Sequence, residues 1–237
     1  MSGMTRIFAA LGCFLIVAVG AAQAECVTLG APCADYSSTP VIFLGKVLSI
    51  SRTPSEIHPV VVSVKLHVLD PLKGLAAGTT EAVVVMSGGC AECYYTFEAE
   101  KTYVVFARRD PRSAGLVTSE CDPTYLVMDP QTDFDLQFMR DLKKGERNAV
   151  IFGFVMRQHA DLVPEKLNDV SVVLRGPGGT RKTRSDADGR YVFSGLKPGT
   201  YTIEVSPSKR ASFPHNGVTA KVRGPYCVPV DFYAKVD

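Results

Sequence analysis

Short β-branched runs, each closed by Gly or Pro, recur along almost the whole of this chain, and one segment alone carries helical spacing. Residues 41–50, VIFLGKVLSI, form an apolar run interrupted by Gly45, the pattern of a strand with a bulge or a sharp coil. Residues 60–69, VVVSVKLHVL, alternate Val62, Val64, Leu66 and Val68 against Ser63, Lys65 and His67, which predicts a half-buried strand. Asp70-Pro71-Leu72-Lys73-Gly74 is expected to break it, and Glu81 to Met86, Lys101 to Arg108 and Gly115 to Ser119 follow as further strands. Five short strands without a long amphipathic helix indicate a small closed or partly closed barrel.

Between Asp129 and Asn148 the period changes. Phe134, Leu136, Phe138, Met139 and Leu142 recur at helical spacing, Asp133 and Asp135 sit early, and Lys143-Lys144-Gly145 closes the segment. One helix of about ten residues, packed beside the barrel, is expected. From Ala149 onward the chain returns to strands, at 150–157, 170–175, 180–184, 190–194, 200–206, 217–223 and 229–236. Turn signals at Pro177-Gly178-Gly179, Asp186-Ala187-Asp188-Gly189 and Lys197-Pro198-Gly199 make this an antiparallel sandwich of seven strands. The fold class is therefore all-β: a five-stranded barrel, closed or partly closed, a short helix, and a seven-stranded antiparallel β-sandwich. The expected boundaries are 1–24 for a signal peptide, 25–128 for the barrel, 129–149 for the helix and linker, and 150–237 for the sandwich.

The first stretch reads as an export signal. One positive charge at Arg6 precedes an uncharged run from Ile7 to Gly20, and Ala22-Gln23-Ala24 supplies a small-x-small cleavage site. That run is shorter than the roughly 20 apolar residues of a membrane span. No membrane span is expected after cleavage, and the residues before Cys26 lack the pattern of a lipid-acylation site. The chain has 26 Lys and Arg against 24 Asp and Glu, so no basic footprint points to nucleic acid or an acidic membrane surface.

Of seven cysteines, Cys13 leaves with the signal, and Cys26, Cys33, Cys90, Cys93, Cys121 and Cys227 remain. An even number in an exported chain points to three disulfides, and spacing alone leaves all fifteen pairings open. All but Cys227 precede residue 122, so the cross-links are expected to be concentrated in the first half, with the second half held by its own core.

Particular residues carry two resemblances. Cys26, Pro32-Cys33, the strand VIFLGKV, Leu72-Lys73-Gly74, Cys93 with Phe97, Tyr103-Val104-Val105-Phe106-Ala107 and Thr118-Ser119-Glu120-Cys121 occur in an order that resembles the netrin-like/tissue-inhibitor-of-metalloproteinase (NTR/TIMP-like) family over residues 26–125. The resemblance implies an OB-like barrel with its N-terminal segment stapled to it. It also implies pairing of Cys26 with Cys93 and of Cys33 with Cys121, leaving Cys90 and Cys227 for a bridge between the halves. In the second half, Val170 to Leu174, Thr183 to Phe193 and Gly195 to Ile203 resemble the carboxypeptidase regulatory-like family, whose members are transthyretin-type sandwiches grouped with the starch-binding-like fold. Asp188-Gly189 and Pro198-Gly199 act there as turn dipeptides flanking strands whose Tyr191, Phe193, Tyr201 and Ile203 point inward.

Candidate sites reduce to structural roles on this reading. Cys90-Ala91-Glu92-Cys93 lacks the cationic setting of a reactive dithiol and a second pair for structural zinc, so disulfides are expected. Asp186, Asp188 and Gly189 begin like a calcium loop, but Tyr191-Val192-Phe193 occupies the stretch where the distal carboxylate belongs, and a turn is expected. His58, His67, His159 and His215 are scattered, Glu98 and Glu100 flank a turn, and no nucleophile elbow or phosphate loop appears. Metalloproteinase inhibition, which the NTR/TIMP resemblance raises, requires a free amino terminus at Cys26, whereas the expected cut leaves Glu25 ahead of it. Glycan binding would draw on Tyr191, Tyr201, Phe213, Tyr226 and Tyr233, in a chain without Trp. The expectation is a secreted or periplasmic non-catalytic binding, adhesion or scaffold protein, with no cofactor or metal and with an extracellular or periplasmic protein or glycan as partner. Carbohydrate binding by the sandwich and metalloproteinase inhibition by the barrel are the alternatives.

Overall fold

A computed structural model describes residues 31–54, 61–86, 96–111, 115–146, 148–158, 163–207, 211–225 and 227–235. The segment expected to be an export signal, Cys26, Cys90, Cys93, His58, His159 and Tyr226 lie outside the described residues.

Five strands, β1 (Val41–Thr53), β2 (Val61–Lys73), β3 (Glu81–Met86), β4 (Thr102–Arg109) and β5 (Leu116–Thr118), run in the order β1-β2-β3-β5-β4, and β1 pairs with β4 to close the barrel. The β3–β5 pairing is parallel and the others are antiparallel. A two-residue β6 (Tyr125–Leu126) adds to β4. Phe43, Val47, Val64, Leu66, Val84, Tyr103 and Val105 fill the interior. Strand β2 alternates because one of its faces meets water, whereas Val41–Leu44 of β1 and Tyr103–Ala107 of β4 are buried without a break. The uninterrupted apolar runs VIFL and YVVFA record that both faces of those strands are covered.

The expected break at Asp70-Pro71 does not occur: β2 continues to Lys73. Register shifts between Ile42 and Phe43 and between Leu44 and Gly45 accommodate the proline opposite Phe43, since a residue without an N–H is tolerated where a bulge releases the ladder. Gly45 stands at the second of these shifts, where the extra residue, Leu69, belongs to β2, so the bulge at this glycine is carried by the partner strand. The fifth strand is the three-residue Leu116–Thr118, shorter than the expected Gly115 to Ser119.

One helix, α1 (Phe134–Lys143), follows. Asp133 caps it by accepting the Leu136 N–H at 2.8 Å, and its end is closed by Gly145 at φ +92°, a left-handed position that suits glycine.

The remaining strands form two facing sheets. One has the order β10 (Gly179–Arg184), β9 (Ser171–Gly176), β12 (Gly199–Val205), β13 (Gly217–Val222). The other is built on β7 (Ala149–Arg157), flanked by β11 (Arg190–Leu196), β14 (Cys227–Pro229), β15 (Phe232–Ala234) and the two-residue β8 (Glu165–Lys166). Ile151, Val155, Val172, Leu174, Tyr191, Phe193, Tyr201, Ile203 and Phe232 form the core between them. The last expected strand divides into β14 and β15, and both run parallel to β7, so the sandwich is antiparallel except along that edge.

Candidate functional site: the seam between barrel and sandwich

The helix that joins the two β units is buried on two sides. Leu136 and Met139, three residues apart, pack on the outside of the barrel against Ile42, Leu44, Leu72, Val104 and Phe106. Phe138, with Phe134 and Leu142 four residues to either side, packs against Cys33, Val150, Phe152 and Cys227. Spacings of three and four put these two sets on adjoining stripes, and the helix becomes a wedge rather than a lid on the barrel alone. The Phe134 ring lies 4.6 Å from that of Phe152, and the Arg190 guanidinium stands over the Phe134 ring, 4.1 Å from its centroid.

Cys33 sits in a 3₁₀ turn, Pro32–Tyr36, and is bonded to Cys227 at the start of β14, with 5.9 Å between the Cα atoms. Both cysteines are buried, at 0% and 1% exposure. This corrects the pairing that the NTR/TIMP resemblance implied: Cys33 does not bond Cys121, and Cys227 does not bond Cys90. Cys121 is itself disulfide-bonded. The physical reason lies in the turn's seating. Lys73 Nζ donates to the carbonyls of Tyr36 at 2.7 Å and Ser37 at 3.0 Å, and Tyr36 Oη donates to the Leu72 carbonyl at 3.3 Å. Gly74 at φ +75° turns the chain so closely that a methyl group there would overlap the Pro40 carbonyl oxygen. Leu72-Lys73-Gly74 thus pins the turn beside α1, on the side where β14 passes.

Carboxylates complete the seam. Asp135, in the first turn of α1, accepts the Cys33 N–H on Oδ1 at 3.0 Å, a bond spanning 102 residues. Burial drives its pKa up to about 6; the Cys33 N–H and the Arg190 charge oppose that rise, while the Asp133 charge adds to it. Asp133 also accepts the Tyr125 hydroxyl at 2.8 Å, and burial together with this carboxylate raises the Tyr125 phenol far above its ordinary value. At the other end of the helix, Arg140 and Lys143 both pair with Asp70 of β2, at 2.9 and 2.7 Å. Burial pushes the Asp70 carboxyl up, but the bonds to Lys143 and Arg140 outweigh it and hold it below the usual range.

The other candidates fall in structural or surface places. Asp186 Oδ1 accepts the N–H groups of Asp188 and Arg190, each at 2.9 Å, and Asp188 pairs with Lys166 at 2.7 Å, so this carboxylate pair organises a turn. His67 and His215 are exposed. Glu100 pairs with Lys46 at 2.6 Å, and the Glu98 N–H donates to the Tyr103 hydroxyl. Tyr191 and Tyr201 are core residues at 2% and 3% exposure, Phe213 is partly buried, and Tyr233 is exposed. A polar cleft of about 290 Å³ lies by Asp35, Ser38, Arg108, Cys121 and Asp122, where Arg108 and Asp122 pair with each other. The sequence reading did not single out Asp135 or Arg190 as seam residues. The available signal was five apolar residues in ten, an arc too broad for one buried face, with an acidic residue set inside it.

The fold and its seam define a two-part β protein whose units are cross-linked beside the connecting helix. Residues 151–233 match the model of the carboxypeptidase regulatory-like domain family, and this chain carries such a domain there. No curated protein matches the chain. Among solved structures, the major pilin SpaD of Corynebacterium diphtheriae aligns at 12% identity and a TM-score of 0.29, over 36% of this chain and 31% of the pilin, so the chain spans less than a third of that protein. The candidate carbohydrate binding protein PA1324 of Pseudomonas aeruginosa aligns at 16% identity and a TM-score of 0.29, over 36% and 88% of the two chains. The minor pilin GBS52 of Streptococcus agalactiae aligns at 11% identity and a TM-score of 0.34, over 84% of each. At such scores these superpositions support no argument about the present chain.

Proposed function

We propose that this is an exported, non-catalytic binding scaffold, secreted or periplasmic, whose barrel and sandwich present one rigid surface to an extracellular or periplasmic protein or glycan. The observation that carries the reading is the buried Cys33–Cys227 bond between the two units. A disulfide of this kind is maintained in oxidising compartments, and the signal-like N-terminus is consistent with delivery to one. No helix among the described residues is long and apolar enough to cross a membrane.

A protein partner is favoured over a glycan. Sugar faces are gripped by exposed rings, and burial of Tyr191 and Tyr201 leaves Tyr233, at 44% exposure, as the sandwich's large exposed aromatic among the described residues. The strand order supports a closed five-stranded barrel, and the Cys33–Cys227 bond departs from the pairing that the NTR/TIMP resemblance implied and weighs against metalloproteinase inhibition. The test is saturable binding of the purified, oxidised chain to protein and glycan arrays, with protease assays alongside. Saturable binding without effect on proteases supports the scaffold; inhibition dependent on an amino terminus at Cys26 overturns it.

A further inference from the structure

We infer that Asp135 makes the seam between barrel and sandwich an acid-tightened latch: the neutral carboxyl holds the Cys33 turn against α1, and the carboxylate favours opening of the seam. The inference concerns the interface itself and does not depend on which ligand the surface takes.

The geometry sets a charge on a half-buried side chain where hydration is reduced. Asp135 lies beside the apolar cluster of Cys33, Phe138, Val150, Phe152 and Cys227, with the Cys33 N–H as its hydrogen-bond donor. One of its oxygens and both disulfide sulfurs lie within 4.8 Å of one another. Each element packed there contributes a defined group. From its own helix the Asp133 carboxylate opposes ionisation, and that oxygen is already engaged by the Leu136 N–H and the Tyr125 hydroxyl of β6. From β11, Arg190 favours ionisation through its charge, while its guanidinium lies over Phe134 and its buried Nε has no hydrogen-bond partner. From β2, Asp70 is committed to Arg140 and Lys143 at the far end of the helix. Strands β7 and β14 bring Val150, Phe152 and Cys227, which offer a carboxylate no compensating charge. A carboxyl at such a place loses less by burial when it is neutral, and its oxygen still accepts the Cys33 N–H in that form.

The direction of the pH dependence follows from linkage. The Asp135 pKa is raised to about 6 in the closed state, so closure takes up a proton. Closure is then strongest in acid, weakens as pH climbs toward 6, and levels off above about pH 7.

Hydrogen exchange of the full oxidised chain reads this out as protection factors, which correct for base catalysis. Protection of the Cys33 amide and its turn is expected to fall about tenfold between pH 5 and pH 7.5 and to stay level above that, following the raised pKa. Asp135→Asn, permanently neutral, should remove the dependence and hold protection at or above the acidic wild-type level. An unchanging wild-type profile, or the same dependence in Asp135→Asn, overturns the latch. Should that variant not fold, carboxyl carbon-13 titration of Asp135 in the wild type decides: a midpoint near 6 that moves upward in Arg190→Gln supports the inference, and a midpoint near 4 overturns it.

Discussion

At the scale of single residues, the polar groups that matter most are those that tie one segment of backbone to another out of reach of water. Ser185 is 5% exposed; its hydroxyl donates to the Leu167 carbonyl at 2.7 Å and accepts the Val170 N–H at 3.0 Å, pinning the entry to β9 against the end of β10. Replacing it with Ala strands a buried donor and a buried acceptor, so Ser185→Ala should cost about 1–3 kcal/mol in denaturant unfolding, with the slope unchanged. In the barrel, Thr118 and Thr124 play a related part around Phe106, whose carbonyl accepts the Thr118 hydroxyl at 2.8 Å and whose N–H donates to Thr124 at 2.9 Å. Gly74 is constrained by shape instead of polarity. Its left-handed φ and the adjacent Pro40 carbonyl leave no place for a Cβ, so Gly74→Ala should loosen the Cys33 turn, read as faster exchange of the amides at 32–36 while the sandwich amides stay protected.

At the scale of elements, α1 is held at both ends by charge, and the two ends respond to acid in opposite directions. Asp133 caps the N-terminus and receives the Tyr125 hydroxyl, so Asp133→Ala should remove about 1–2 kcal/mol, the upper end being expected because a half-buried phenol also loses its acceptor. At the C-terminal end, Asp70 has its pKa lowered by Lys143 and Arg140. Its contribution is fully present above the unfolded carboxyl value near 4, and is lost as pH falls through the folded value below that. Acid unfolding below about pH 4 should therefore be less steep in Asp70→Asn than in wild type, measured by circular dichroism across pH 2–5. The helix itself was legible from the Asp133 cap and the Lys144-Gly145 close, and so were most strands, because alternation and turn dipeptides are local signals. What stayed hidden was non-local. Pro71 looked like a terminator because the register shift that tolerates it exists only once β2 is paired with β1, and Cys227 looked like a partner for Cys90 because its position beside the Cys33 turn depends on a parallel return along β7. The unbroken apolar runs of β1 and β4 did hold the information that something covers the barrel's outside, and α1 is what covers it.

At the scale of the whole molecule, the Cys33–Cys227 bond links the first described turn to the edge of the sandwich across 194 residues. Closing so long a loop restricts the unfolded chain by an amount that the entropy model puts at roughly 5 kcal/mol, more than a hydrogen bond or a helix cap supplies. Separate hydrophobic clusters fill the barrel and the sandwich, and the seam cluster around Phe138 joins them. Two cores coupled through a smaller contact and this disulfide should unfold together while the bond is intact and apart once it is cut. The expected outcome for Cys33→Ala/Cys227→Ala is therefore two resolved calorimetric transitions in place of one, with the transition of the sandwich shifted less than that of the barrel, whose N-terminal turn and outer helix lose their anchor. The sandwich keeps its own core of Tyr191, Phe193, Tyr201 and Phe232 regardless of the bond, which is why its shift should be the smaller. A single transition that merely moves to lower temperature would show that the seam cluster alone couples the two units; an unshifted one would show that the bond contributes nothing to holding them together.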